Sequence, residues 1–220
     1  MADHADTEVA EQDTAESPAL DPELLERRDA ALAQVVKFGD PVLKSRASPV
    51  TEFGDPLRTE AERMIHVMRD GMGVGLAATQ LGILRRLLVF QAGADAEPTA
   101  VVNPEIEWVS DDLAIAEEGC LSIPHVSVDV ERALHARVRG LDLEGAALSL
   151  EASGLEARVL QHEIDHLDGV LIIDRTSREQ RREALRALRE GGSYSPSTEI
   201  EPEAGDEAAN GDGQSPTAEA

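Results

Sequence analysis

The chain has a single cysteine, Cys120, and no long apolar run among its 220 residues. One cysteine permits no internal disulfide, so nothing in the sequence indicates an oxidising compartment. No apolar stretch approaches the ~20 residues that a membrane-spanning helix needs, and the N-terminus lacks the basic-then-apolar pattern of a signal peptide. We therefore expect a cytoplasmic protein that makes no contact with a membrane.

The two ends of the chain are poor in large apolar residues and carry most of the net charge of -24. Residues 1–34 contain ten acids and two arginines, and residues 191–220 contain seven acids and no base. Segments of this composition bury too little apolar surface to offset the entropy of ordering. We predict mostly disordered acidic tails at 1–34 and 191–220, although Pro18 to Leu32 could hold a short helix. Between them, residues 35–190 are long enough for one domain with a core.

The motif H-E-x-x-H occurs at His162, Glu163 and His166. Residues four apart on an α-helix lie on one face, so the two imidazoles can share a divalent metal. The glutamate can then reach a water bound to that metal. The alternative is a surface helix with two histidines and a chance glutamate. Neighbouring apolar residues predict a buried helix instead: these are Val159, Leu160 and Ile164.

Two histidines do not complete a catalytic metal site, which usually has three protein ligands and a water. A longer form of the motif would place a third histidine where this chain has Ile172. Glu183 and Glu190 lie in an Arg-rich amphipathic stretch, where salt bridges on a solvated surface are the better interpretation. Cys120 remains as the candidate third ligand, and its alternative role is that of a small buried hydrophobic residue.

The predicted strands precede the helix with the motif and do not alternate with helices, which indicates an α+β fold. A helix is predicted at Asp55–Arg69, and a final amphipathic helix at Ser177–Leu188. Gly71–Gly82 is glycine-rich, but it follows a helix and precedes a strand, the reverse of a dinucleotide-binding loop. Its glycines are better explained by close approach of the backbone to a ligand. The predicted strands are Leu87–Phe90, Ala100–Val102, Ile106–Val109, Val126–Glu131, Ala133–Leu141, Leu148–Ala152 and Val170–Ile173.

Three blocks, in this order, resemble the peptide deformylase family. They are G-V-G-L-A-A-T-Q at Gly73–Gln80, E-G-C-L-S at Glu118–Ser122, and Q-H-E-I-D-H-L at Gln161–Leu167. The resemblance covers about residues 35–190 and leaves out both tails. It implies an α+β fold with antiparallel sheets around the central helix that carries H-E-x-x-H. The implied activity removes the N-terminal formyl group from the formyl-methionine of newly synthesised polypeptides and releases formate.

The resemblance also implies a role for each residue of these blocks. One divalent metal ion, Fe²⁺ in many members, with Zn²⁺, Ni²⁺ or Co²⁺ as substitutes, would be bound by Cys120, His162 and His166. Glu163 would take a proton from the attacking water and deliver it to the leaving amine, while Gln80 and the Leu121 backbone N–H would stabilise the oxyanion. The residues implied to bind substrate are Val74, Gly75, Glu118, Gly119, Leu155 and Val159.

Two other functions fit parts of the sequence. A zinc peptidase with the same motif would cut internal peptide bonds and would not depend on Cys120. A non-catalytic binding module would have a closed site with four protein ligands. The implied partners are N-formyl-methionyl nascent peptides, and the Arg-rich helix at 177–190 is a candidate ribosome contact.

Overall fold

A computed structural model describes residues 21–93 and 96–196 of the chain. Four helices and seven strands make up this part of the molecule, joined by three short 3₁₀ turns. The helices are α1 (Pro22–Leu32), α2 (Asp55–Asp70), α3 (Leu155–Leu167) and α4 (Arg178–Glu190). The strands are β1 (Gly75–Ala77), β2 (Leu87–Phe90), β3 (Thr99–Val109), β4 (Leu113–Cys120), β5 (Ile123–Ala133), β6 (His135–Leu141) and β7 (Ala147–Ser153). Within the described residues, no helix combines the length and apolarity needed to cross a membrane.

The strands form two antiparallel sheets around α3, the helix that carries H-E-x-x-H. The larger sheet has the order β1-β2-β3-β6-β7, and the smaller one pairs β4 with β5. This arrangement confirms the predicted α+β fold.

The larger sheet lies between α2 and α3. Successive side chains of a strand point to opposite faces of the sheet, so a strand covered by a helix on each face is apolar at every position. All four residues of β2 are buried because both of its faces are covered. Leu87 and Val89 pack in the cluster that contains Met64 and Met68 of α2. Leu88 packs on the other face, in the cluster that contains residues of α3. The α3 residues of that cluster are Ala157, Val159, Leu160, Ile164 and Leu167.

Two predicted strands are joined in the structure, and one strand was not predicted. The predicted strands Ala100–Val102 and Ile106–Val109 are one strand, β3, whose pairing with β6 shifts register near Asn103. Asn103 takes a positive φ of 51°, and its side chain hydrogen-bonds both backbone groups of Val50, so the chain bends there without ending the strand. β4 was not predicted, because most of its residues are exposed and show no alternation.

The strand predicted at Val170–Ile173 is wrong. Residues Ile172–Asp174 form a 3₁₀ turn instead. Ile172 and Ile173 are buried against β5 and α4 in one cluster. Burial explains why this run is apolar, and a short apolar run does not distinguish a strand from a buried turn.

The predicted domain boundary at residue 35 is also wrong, because α1 belongs to the folded domain. Asp21 caps this helix by accepting a hydrogen bond from the Glu23 backbone N–H at 3.0 Å. Ala31 and Val35 are buried, at 3% and 4% exposure, in the same cluster as α2. The short helix considered between Pro18 and Leu32 therefore forms over Pro22–Leu32.

The folded domain also extends beyond the C-terminal boundary predicted at residue 190. The backbone of Tyr194 pairs with β5: its N–H donates to His125 O at 2.9 Å, and its C=O accepts from Ser127 N at 2.8 Å. Residues 191–196 therefore lie along the domain. The disorder predicted for the rest of both tails concerns residues 1–20 and 197–220, which lie outside the described residues.

Candidate active site

Cys120, His162 and His166 meet at the centre of the molecule. Cys120 ends β4, and the two histidines lie one turn apart on α3. The donor atoms of the three residues all lie within 4.8 Å of one another, and Cys120 Sγ is 3.2 Å from His166 Nε2. Ligands held at about 2.0–2.3 Å from one ion lie only a few Å apart, so this spacing suits a single metal. The three residues could thus hold a metal ion, as the sequence predicts.

The ionisation of this cluster also suits a metal. Burial would raise the pKa of the Cys120 thiol, but the charge of His166 and hydrogen bonds from both histidines lower it well below its ordinary value. Burial would lower the pKa of His162, but hydrogen bonds with Cys120 and Glu118 raise it to about 10. Both shifts favour a thiolate beside an imidazolium, and a divalent cation can take the place of such a proton.

A buried carboxylate fixes the orientation of His162. Glu118, on β4, accepts a hydrogen bond from His162 Nδ1 at 2.9 Å, which directs Nε2 of the same ring towards the cluster. Arg132 donates to both oxygens of this carboxylate at 2.7 and 3.0 Å, and Arg158 donates to one of them at 2.7 Å. Burial would raise the pKa of Glu118, but the bonds from His162 and Arg132 lower it to about 2. A carboxylate behind a ligating histidine typically sets its tautomer and raises its basicity.

This role of Glu118 corrects one sequence-based expectation. Both of its oxygens are engaged, and the residue is only 6% exposed, so the side chain is not available to bind substrate. Arg132 was not predicted from the sequence; it is 6% exposed and donates at 2.8 Å to Asp165, one residue before His166. A signal was present, because Arg132 continues the inward-facing series of alternate residues on β5: Val126, Val128 and Val130.

Glu163 lies beside the cluster with a free oxygen. The residue is 4% exposed, and its Oε2 has no hydrogen-bond partner in the described part of the chain. Burial raises the pKa of this carboxyl group, against the opposing effect of the charged histidines. Gly75 borders it so closely that a Cβ at that position would lie 2.9 Å from Glu163 Cδ. Only glycine fits there, which agrees with the expectation of a close backbone approach.

The Gln80 side chain directs its amide nitrogen towards Cys120 and Ser122. Its Oε1 accepts a hydrogen bond from the Ala77 N–H at 2.8 Å, which determines the orientation of the amide. Its Nε2 is then 3.6 Å from Cys120 Sγ and 3.4 Å from Ser122 Oγ. Leu121 directly follows Cys120, and its carbonyl oxygen accepts from Lys37 Nζ at 3.1 Å.

A cleft of about 680 Å³ opens beside these groups. Val74 and Leu155 lie on its border and are 46% and 56% exposed, so each offers apolar surface to a ligand. Gly75, Gly119 and Val159 also line the cleft. The sequence-predicted site residues thus line one cleft, except His166, which is 1% exposed and lies beside Cys120.

Comparison with known proteins assigns the family. Residues 32–182 match the family model described as polypeptide deformylase. The chain belongs to the peptide deformylase family. A peptide deformylase of Thermotoga neapolitana is 51% identical over 138 residues, 63% of this chain and 83% of the relative. One from Acidothermus cellulolyticus is 44% identical over 160 residues, 73% of this chain and 87% of the relative. The crystal structure of the Synechococcus elongatus peptide deformylase in complex with actinonin is similar, with 40% identity, a TM-score of 0.67 and coverage of 72% and 88%.

Family membership confirms the enzyme class predicted from the three sequence blocks. A peptide deformylase is a metal-dependent hydrolase that removes the N-formyl group from nascent peptides, and the family uses a single metal ion. The zinc peptidase alternative is not supported, because it would not depend on Cys120, and Cys120 lies in one cluster with the two histidines. The binding-module alternative needs four ligands, whereas the donor cluster found in the described residues has three.

Proposed function

We propose that this cleft hydrolyses the formyl amide of N-formyl-methionyl peptides, with Glu163 as the acid–base group. The observation that carries the proposal is the buried Glu163 carboxylate with an unpartnered oxygen beside Cys120, His162 and His166. An unpaired buried oxygen is costly, and a bound water would relieve that cost. A raised pKa also suits a group that must both accept and donate a proton near neutral pH.

Glu163 takes a proton from the water that attacks the formyl carbon. The same carboxyl group then gives the proton to the amine nitrogen as the carbon–nitrogen bond breaks, so the products are formate and a free N-terminus. Cys120, His162 and His166 would hold the metal ion, which would supply Lewis acidity to the attacking water and to the formyl carbonyl. Glu118 keeps His162 oriented throughout.

The oxyanion needs donors that are in place before the reaction. The Gln80 amide is held by Ala77 and directed at the cluster, which supports a role as one donor. The backbone N–H of Leu121, immediately after Cys120, is the proposed second donor. Gly75 and Gly119 both line the cleft and are the proposed backbone contacts of the peptide, with Val74, Leu155 and Val159 as apolar contacts.

We propose Fe²⁺ as the native metal, as the resemblance implies, with Zn²⁺, Ni²⁺ and Co²⁺ as substitutes. A thiolate and two imidazoles suit several of these ions, so the metal content of protein purified without air is the decisive measurement.

We also propose that the enzyme works in the cytoplasm and that α4 contacts the ribosome. The helix carries five arginines and three glutamates, and three of the arginines are engaged with acidic neighbours. Cosedimentation with ribosomes at low salt tests this contact. The variant Arg178→Glu/Arg189→Glu should reduce binding, because these two exposed arginines have no ion pair within the described residues. Unchanged binding would remove α4 from the interface.

Formate release from a formyl-Met peptide by anaerobically purified protein tests the activity itself. We expect formate and the deformylated peptide in equal amounts, with every internal peptide bond intact. Cys120→Ala should lose both metal and activity. Internal cleavage without formate would contradict the proposal and favour a peptidase.

A further inference from the structure

Helix α1 lies almost entirely before the segment 32–182 that matches the family, yet it lines the same cleft as the metal cluster. Arg28, Asp29 and Leu32 contribute to this wall. The cleft of about 680 Å³ is larger than one formyl-methionyl residue requires, so it has room for residues that follow it. These downstream residues need a surface to contact, and α1 provides one.

Three kinds of contact fix α1 in place. Arg27 forms an ion pair with Asp70 at the end of α2. Leu32 Cδ2 and Leu121 Cδ1 both lie close to Gly71, at 3.6 and 3.5 Å from the position a Cβ would take there. Lys37 Nζ donates to Leu32 O at 2.9 Å and to Leu121 O at 3.1 Å, which ties the end of α1 to the segment after Cys120. The helix is therefore a fixed wall.

An extended substrate has a natural path towards this wall. β1 is an edge strand, since it pairs with β2 alone in the larger sheet. A peptide can add to a free strand edge through backbone hydrogen bonds. Gly75 lies at Glu163, whereas Met72 and Gly73 lie at the end of the cleft lined by Leu32 and Leu121. A peptide with its formyl group at Glu163 that runs along Gly75, Val74 and Gly73 therefore approaches α1.

Arg28 contributes the positive charge of α1 to the cleft. Within residues 21–93 and 96–196, its guanidinium has no hydrogen bond or ion pair with another side chain. The other cleft arginine, Arg158, is bound to Glu118 and two backbone carbonyls, and Lys37 is bound to two carbonyls. Within the described residues, Arg28 is thus the cleft arginine whose guanidinium has no side-chain partner, and guanidinium pairs well with carboxylate.

We propose that α1 forms the distal wall of the peptide cleft and that Arg28 binds an acidic side chain downstream of the formyl-methionine. Arg28 is then a specificity-determining residue, and it acts on substrate binding rather than on the chemical step. The inference rests on the proposed deformylase activity. Asp29 lines the same wall, so selection depends on which side chain reaches Arg28 rather than on the overall charge of the cleft.

The test compares formyl-Met peptides with amidated C-termini that carry one glutamate or one lysine at the second, third or fourth position. Formate release gives kcat and KM for each peptide. At one of these positions we expect kcat/KM to favour glutamate by roughly two- to five-fold, the size of an exposed ion pair. The preference should appear in KM, because binding that is equal in ground and transition states leaves kcat unchanged. It should weaken at high salt.

Variants separate Arg28 from general charge effects. Arg28→Gln should abolish the preference, Arg28→Glu should reverse it, and Arg28→Lys should retain part of it. Arg63→Glu is the matched control, because Arg63 is an exposed arginine on α2 outside the cleft, hydrogen-bonded to Gln34. It makes the same change in net charge and should keep the wild-type preference.

Equal rates for all glutamate and lysine peptides, or the same preference in Arg28→Glu as in the wild type, would overturn the inference. Formate release from every peptide without charge selection would leave the deformylase activity standing. Absence of formate from all peptides would refute the proposed activity and the inference with it.

Discussion

Replacing Glu118 with glutamine should weaken metal binding and destabilise the fold together, because one buried carboxylate serves both. It accepts from His162 and neutralises Arg132 and Arg158 in a place where Arg132 is 6% exposed. The variant leaves these cations without their charge partner. Glutamine keeps the shape of the side chain, so the effect reports the charge.

The structure sets the size of this effect. The pKa of Glu118 falls from 4.5 to about 2 on folding, which corresponds to a stabilisation of about 3 kcal/mol. Removing one partner of a buried ion pair costs ~3–5 kcal/mol, in agreement. At about 2–4 °C per kcal/mol for a domain of this size, Tm should fall by roughly 6–20 °C. Metal affinity should fall about 10–100-fold, as for other residues that orient a metal-binding histidine.

The pH dependence has a definite sign. A carboxylate with a lowered folded pKa stabilises the protein fully above its unfolded pKa of 4.5, and the benefit disappears as the pH falls towards about 2. The stability difference between wild type and Glu118→Gln should therefore be constant above about pH 5 and shrink below it. Thermal unfolding of metal-free protein across this range measures the difference.

Glu117→Gln is the control, since Glu117 is the exposed neighbour of Glu118 and, within the described residues, hydrogen-bonds the hydroxyls of Ser127 and Ser195. Chelator competition gives the metal affinity of both variants. If Glu118→Gln matched Glu117→Gln in Tm and in metal affinity, the argument from the buried network would be refuted.

Three further predictions follow from the same structure. Glu163→Gln should retain the metal but lose roughly 10²–10⁴-fold in turnover, and near-normal turnover at full metal occupancy would remove Glu163 from the mechanism. The Fe²⁺ form should lose activity in air faster than the Ni²⁺ form, with oxidation of Cys120 followed by peptide mass; equal decay would contradict an iron-specific effect. Deleting residues 1–20 and 197–220 should barely change Tm, whereas deleting residues 1–34 should lower it by several degrees because Ala31 is buried; equal Tm values would show that α1 contributes nothing.

The candidate metal ligands were predictable because their signals are local. The spacing of His162 and His166 places both on one helix face whatever surrounds the helix, and Glu163 is adjacent by necessity. Cys120 was reached as the only cysteine and by resemblance to a family, and the structure brings it to 3.2 Å from His166. Strand β2 was predictable for a similar reason, since a strand covered on both faces is a continuous apolar run.

Other features depend on partners that are distant in sequence. The apolar run at Ile172 and Ile173 packs against α4 as a turn, which its composition cannot distinguish from a strand. α1 has an acidic, polar sequence typical of a disordered tail, and it is ordered by a few contacts with α2 and Leu121. Without those contacts its own helix propensity would be marginal at this length.

The sequence by itself determined the fold class, the H-E-x-x-H helix, the candidate ligands and the enzyme family. These depend on residue identity and on spacing along one element. Only the tertiary structure decided that Glu118 holds His162, that Arg132 joins this network and that α1 walls the cleft. Such roles come from distances between side chains on different elements, such as the 2.9 Å between Glu118 and His162, 44 residues apart in the chain. Long-range contacts of this kind are determined by packing of the whole domain, not by a pattern within any one segment.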